Sequence, residues 1–292
     1  MLYCFLAILA GFFVALSDAL NKKHFSSMGY PYMAVARSLP PVLFLLPIFL
    51  WKVSLHHLPH ISAKFIPVVC VLLVLELVAT LLYMKGVKVS PLSLSIPFLS
   101  FTPVFIVFTG YLLLGEKVSF TGAIGIFLIV VGSYLINLTE VKKGLLAPIK
   151  AIKKEKGSLY LLEVAIIYSI TSVLGKKGLL LTDPILFASF YFSIFGIFAT
   201  ICIKVLYKVS LKKLFTNLKG CFLVGGTQTI MFFCHMFALE HLETAYMIAL
   251  KRTSILFAVL LGYFMFREKH LLIRLSSVIL MLTGIIILSF WR

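Results

Sequence analysis

Six ionisable residues stand inside or just inside long apolar runs of this chain: Asp18, Arg37, Glu76, Glu163, Lys251 and Arg252. A charge at the centre of a bilayer costs about 2.5–3.5 kcal/mol on insertion scales, so each needs a partner or a task. Three are acidic and three basic, so they can neutralise one another. Glu76 is the most central, and Thr80 and Tyr83 follow it at i+4 and i+7 on the same helical face. Gln228 and His235, seven apart, share a face in the same way, and Lys251 and Arg252 stand about two turns into the next run. Two chemistries fit these residues. In the first, Glu76, Thr80, Tyr83, Gln228, His235 and Lys251 or Arg252 line a cavity that binds a small polar solute, with Glu76 able to carry a coupling proton. In the second they form an ion-pair network that only ties helices together. Neighbours on a helix point about 100° apart, so Lys251 and Arg252 are not expected to face one cavity squarely together. Asp18, Arg37 and Glu163 lie nearer helix ends, where snorkelling and interfacial pairing as supporting charges are cheap.

Other chemistry is poorly supplied. His56, His57 and His60 have a spacing that can bind zinc, but Pro59 interrupts any common helical face and no acidic or cysteine ligand lies beside them. The cluster reads as a polar interfacial loop, and no metal is expected. Cys4, Cys70, Cys202, Cys221 and Cys234 form no paired motif and sit in or beside apolar runs, where a free thiol behaves as a small hydrophobe. No Walker-type glycine loop is present, so this chain is not expected to hydrolyse ATP or to need a cofactor.

The elements that must position these side chains follow from composition. The 292 residues are 61% hydrophobic and 13% charged, against about 25% charged in a soluble domain. The mean hydropathy is +1.10. Such a chain cannot build a wetted surface, and lipid must be its solvent. Apolar runs long enough to cross a hydrocarbon core, about 20 residues each, occur near 2–20, 32–51, 65–84, 91–114, 119–138, 158–174, 184–206, 221–239, 244–266 and 271–291. Lipid requires backbone groups to be satisfied internally, and continuous runs without alternation select helices over a barrel. The expected fold is therefore all-α and integral to the membrane, with ten transmembrane helices. The first run lacks the positive start of a signal peptide and has a counterpart later in the chain, so it is expected to remain in the mature protein. The net charge of +17 is spread over many short loops. There it orients the chain and meets acidic lipid headgroups, and no nucleic-acid partner is expected.

The chain repeats itself. Residues 101–117 align with 253–269 at an offset of 152: Phe105 meets Phe257, Gly110 and Tyr111 meet Gly262 and Tyr263, and Glu116 and Lys117 meet Glu268 and Lys269. The same offset carries Gly132 onto Gly284 and Gly125 onto Ser277, while Lys22 and Lys23 match Lys176 and Lys177 at an offset of 154. The expected organisation is a five-helix repeat over 1–138, a basic linker over 139–157 and a second repeat over 158–292. Five spans per half force the second to start on the opposite side, so the repeats are inverted. Inverted repeats with a site near the midplane are characteristic of secondary transporters. A membrane-embedded lipid-modifying enzyme and a non-catalytic scaffold are the alternatives. The first lacks a cluster of acid, base or metal ligands at one membrane face. The second has only the small-residue stripes Gly125/Gly132 and Ser277/Gly284, which serve packing within one protomer or in a homodimer.

The proline-rich fourth run (Pro91, Pro97, Pro103), its Gly115-Glu116 ending, the glycine-bearing run after it and the whole module repeated once resemble the EamA-type drug/metabolite transporter superfamily. The resemblance covers the full chain. It implies a ten-helix transporter with a central cavity for small metabolites such as amino acids or toxic compounds, often an exporter, in the cell (inner) membrane. Two positions depart from the pattern: Arg267 stands where the first repeat has Gly115, and Ile255 where it has Pro103. With ten spans both termini lie on one face. Eighteen lysines and arginines fall on the linker face and six on the termini face, which places the linker in the cytoplasm and the termini outside. The family resemblance implies the reverse. Trp51 and Trp291 end helices on the termini face as interfacial anchors.

Overall fold

The computed structural model describes residues 1–56, 63–90, 96–135, 156–267 and 275–290. His57 and His60, Pro91, most of the basic linker, Glu268 and Lys269, and Trp291 lie outside the described residues. The helices are α1 (Leu2–Phe25), α2 (Tyr30–Ser38), α3 (Val42–His56), α4 (Phe65–Val89), α5 (Thr102–Leu114, entered through a 3-10 turn Ile96–Phe101), α6 (Phe120–Leu135), α7 (Lys156–Leu179), α8 (Pro184–Tyr207), α9 (Leu218–His241), α10 (Thr244–Lys251), α11 (Ser254–Phe266) and α12 (Leu275–Phe290). There is no strand among the described residues. Among the described residues seven helical segments are long and apolar enough to cross a bilayer, and two shorter apolar ones, Phe98–Leu114 and Phe120–Gly132, join them. With α12 these account for the ten expected spans.

Three spans that read as continuous apolar runs are broken. The second splits into α2 and α3 at the Pro40-Pro41 pair, because proline lacks the N–H and clashes with the carbonyl four residues back. The fourth begins as a 3-10 turn and becomes α-helical with Pro103 in its first turn, where a missing N–H costs nothing. The ninth breaks at Arg252-Thr253, between α10 and α11. The departure at Arg267 preserves the backbone of the repeat. Gly115 caps α5 at φ 70°, and Arg267 caps α11 in the same left-handed region at φ 55°.

The helix pairings obey an exchange of the halves. If α1 is swapped with α7, α4 with α9, α5 with α11 and α6 with α12, the α1–α9 contact becomes α7–α4, α1–α11 becomes α7–α5, and α6–α12 maps onto itself; all are observed. Contacts at the helix ends show the alternating direction of the spans. On the termini face Tyr3 stacks on His241 at 3.7 Å and Lys52 pairs with Asp183 at 3.3 Å. On the linker face His24 meets Asn217 at 3.2 Å and Tyr30 meets the ring of Tyr207 edge-on. The first helix of the second half thus starts on the face opposite Met1.

The small-residue stripes work within this chain, where α6 crosses α12. A Cβ on Gly284 would lie 2.7 Å from the carbonyl oxygen of Gly125, and one on Gly125 would lie 2.7 Å from Leu288. A backbone oxygen cannot turn aside as a side chain can. Gly284→Leu is therefore expected to pry α6 from α12 at a cost of about 1–3 kcal/mol, seen as a lower melting temperature in mild detergent. Gly226→Ala is the control, since its Cβ would meet only Phe44 at 3.9 Å, and it should melt like the parent.

Candidate functional site

A cavity of about 120 Å³ lies inside the bundle. An engineered cavity of about 150 Å³ holds benzene, so this one suits a solute of comparable size or a few waters. Glu76, Thr80 and Tyr83 reach it from α4, Gln228 and His235 from α9, and Lys251 and Arg252 from the break between α10 and α11. The five residues singled out by helical spacing and the two intramembrane cations Lys251 and Arg252 all lie on its walls. Glu76 and Tyr83 stand at the same repeat positions as Gln228 and His235, 152 residues apart. The pseudo-symmetry thus sets one charged and one neutral copy of the same pair around the cavity.

Lys251 and Arg252 both face the cavity, against the helical expectation. They leave the end of α10 as helical neighbours, since Arg252, its C-cap, still bonds its N–H to the Ile248 carbonyl at 3.2 Å, and both side chains are long enough to reach the one cavity. Lys251 Nζ lies 2.7 Å from His235 Nδ1. Arg252 donates through Nη2 to Thr102 Oγ1 at 2.8 Å, joining the second repeat to the start of α5. Glu76 makes no ion pair within 4.0 Å among the described residues, and Thr171 on α7 is its hydrogen-bonding neighbour.

Asp18 and Arg37 do not snorkel or pair at an interface, as their positions suggested. They form an ion pair in the core, with Asp18 only 1% exposed. The second Asp18 oxygen accepts the Tyr83 hydroxyl at 2.5 Å, and the Arg37 guanidinium lies 4.7 Å from the centre of the Tyr83 ring. The short turn between α1 and α2 lays these helices side by side, and an aspartate two turns from its helix end is too short to reach water. Arg37 and Tyr83 then present this neutralised pair to the cavity. Glu163 does not join them. It is exposed on α7 and lines no part of the cavity, so it supports none of these charges.

Spacing within single helices missed the aromatic wall. Tyr168 on α7 and Phe187, Tyr191 and Phe195 on α8 line the cavity. The i, i+4, i+8 stripe of the last three was visible in the sequence but looks like any packing face. Several polar atoms have no partner. Gln228 Oε1, Tyr191 OH and Arg252 Nε are buried without a hydrogen bond among the described residues. An unmade hydrogen bond costs about 1–3 kcal/mol, and such groups in a native site call for a ligand or water.

The model of the EamA-like transporter family matches residues 1–138 and, a second time, residues 155–290. The chain belongs to the EamA-like transporter family. Its members are transporters of the drug/metabolite superfamily, and in this EamA-like chain each matched segment supplies one wall of the cavity. No curated protein matches the chain. The EamA-like fold is shared with a protein of known crystal structure that is 14% identical, with a TM-score of 0.68 over 98% of this chain and 94% of the other. At that identity the likeness is one of fold.

Proposed function

We propose that this EamA-like protein is a secondary transporter that exports a small metabolite carrying both an amine and a carboxylate, such as an amino acid or a related compound, by alternating access across the cell (inner) membrane. One observation carries the reading: an intramembrane cavity sets the carboxylate of Glu76 against the cations Lys251 and Arg252 and leaves polar atoms of Arg252, Gln228 and Tyr191 unsatisfied. A carboxylate on the substrate satisfies Arg252 and Lys251. An ammonium satisfies Glu76. The aromatic wall of α8 takes the apolar remainder, as concave sites do when a few polar groups fix orientation. The coupling is a proton on Glu76 or an exchanged solute. The basic linker faces the cytoplasm and the termini lie outside, on the charge asymmetry.

Purified protein in liposomes loaded with a panel of radiolabelled amino acids, amines and carboxylic acids, with and without an imposed pH gradient, tests the function. Efflux of a zwitterion above that of the matching amine and acid is expected. Equal flux of all three, or none, would remove the zwitterion reading. Orientation has its own test. In a chain whose native cysteines are replaced by serine, a cysteine at the exposed Lys212 on the linker face should resist an impermeant thiol reagent in intact cells. Ready labelling there would reverse the topology.

A further inference from the structure

On the helices of the second repeat the cavity does not sit evenly between the two faces, whereas on α4 its lining, Leu72 to Tyr83, is nearly central. On α7 its first and last lining residues are Tyr168 and Gly175, on α8 Phe187 and Phe195, on α9 Gln228 and Leu239. Given the helix bounds, about ten or more residues separate it from the linker face on each, roughly 15 Å of packed helix at 1.5 Å per residue. On the termini face about four residues or fewer remain, roughly 6 Å. One polar cluster closes that thin end. Lys176 Nζ donates to Glu116 Oε1 at 2.6 Å and to the Leu242 carbonyl at 2.6 Å. Thr244 donates its backbone N–H to Glu116 Oε2 at 2.9 Å and its hydroxyl to Oε1 at 3.1 Å. Lys176 directly follows the lining residue Gly175, and Thr244 lies one turn before the lining residue Ile248. Glu116 belongs to the first repeat and its partners to the second, so the cluster bridges the two bodies that must move apart.

The other face carries the lysine-to-carbonyl part of this arrangement. Lys22 donates to the Ser90 carbonyl at 2.7 Å, and the repeat offsets of 154 and 152 carry Lys22 onto Lys176 and Ser90 onto Leu242. A lysine at the end of the first helix of each repeat therefore grips the carbonyl after the third span of the same repeat. In this state α7, α8 and α9 put a thick layer of helix between the cavity and the linker face and a thin one between it and the termini face.

We propose that Glu116, Lys176 and Thr244 form the gate of the cavity on the termini face, holding the repeats together there and parting when the protein opens. The proposal rests on the transport reading, since only a transporter needs to open that end. A charge-assisted cluster suits a gate. It is strong while water is excluded, and its groups are readily hydrated once the repeats separate, whereas an apolar seal would expose hydrophobic surface.

Gly175 offers a reporter position, because a Cβ there meets no atom within 4 Å and the residue lines the cavity. In a chain with its native cysteines replaced by serine, Gly175→Cys should react slowly with a trimethylammonium methanethiosulfonate in detergent. Glu116→Gln and Lys176→Gln should each speed labelling at least about tenfold, the loss of a charge-assisted hydrogen bond. The exchanged pair, Glu116→Lys with Lys176→Glu, restores the ion pair but not the bonds to the Thr244 N–H and the Leu242 carbonyl, and should slow labelling only part of the way back. Thr244→Val loses only one hydroxyl contact and should give a smaller rise. Lys22→Gln, which weakens the opposite end, should leave the rate unchanged or lower it. The gate is overturned by unchanged rates in Glu116→Gln, Lys176→Gln and Thr244→Val, or by an equal rise in Lys22→Gln, which would mean general loosening. If the two glutamine variants fail to fold, the Thr244→Val rate decides. The rate is read with no solute present, so absence of flux would remove the transport reading without touching this measurement, and unchanged labelling beside intact flux would remove the gate alone.

Discussion

Arg37→Met should destabilise the protein by about 3–5 kcal/mol, the range for breaking a buried ion pair by removing one partner. The expected readout is a sharp fall in melting temperature in mild detergent. Asp18 is 1% exposed, and its carboxylate is held by Arg37 and by the Tyr83 hydroxyl. Without the guanidinium, a carboxylate is left in a low-dielectric interior with one neutral donor. Asp18→Asn combined with Arg37→Met should recover most of the loss, because a neutral amide keeps a hydrogen bond to Tyr83 and no charge is stranded. That non-additivity is the signature of a coupled pair. Equal melting of the single and double variants would show that Arg37 acts through packing instead. Glu163→Gln offers the contrast: exposed on α7, it should melt like the parent.

Glu76→Gln should do the opposite, leaving stability nearly unchanged and reducing flux by about 10–100-fold. The magnitude is that of one hydrogen bond to a charged group, about 1.5–3 kcal/mol. The residue lines the cavity and makes no ion pair among the described residues, so the fold loses little when its charge goes. The zwitterion reading assigns its carboxylate to the substrate amine. The glutamine should therefore narrow the preference for zwitterions over the matching carboxylic acids. If Glu76 also carries the coupling proton, its pH dependence of flux should flatten. Full transport with unchanged selectivity would demote Glu76 to structure and return the site to α9 and to the break between α10 and α11.

Much of the architecture was legible in one dimension because lipid leaves so few choices. A chain with 61% hydrophobic residues cannot avoid the bilayer, the bilayer demands helices, and five spans per repeat invert the second half. The 152-residue offset needs no coordinates. It also pairs Glu76 and Tyr83 with Gln228 and His235, and all four line the cavity. A polar residue at helical spacing inside an apolar run has few places to go other than the bundle interior, so the choice of wall residues from spacing alone had a physical basis.

Other features were decided only when the helices packed. That Lys251 and Arg252 both reach one cavity depends on what packs around the end of α10, and nothing in the composition of residues 244–266 announces the break that follows them, whereas the break at Pro40-Pro41 was written in its residue types. Asp18 and Arg37 looked like interfacial charges by their distance from helix ends. Which of them reaches water depends on which helix lies alongside, and α2 returning along α1 buries both. The Glu116–Lys176–Thr244 cluster joins residues 60 and 128 positions apart. Each alone reads as an ordinary end-of-helix polar residue, and only the meeting of three helix ends over the thin wall of the cavity makes them one unit. Local periodicity and the demands of lipid thus chose the helices, their number and their inward faces. The partners across helices, the breaks without proline and the depth of the cavity are properties of long-range packing, which no single stretch of the chain contains.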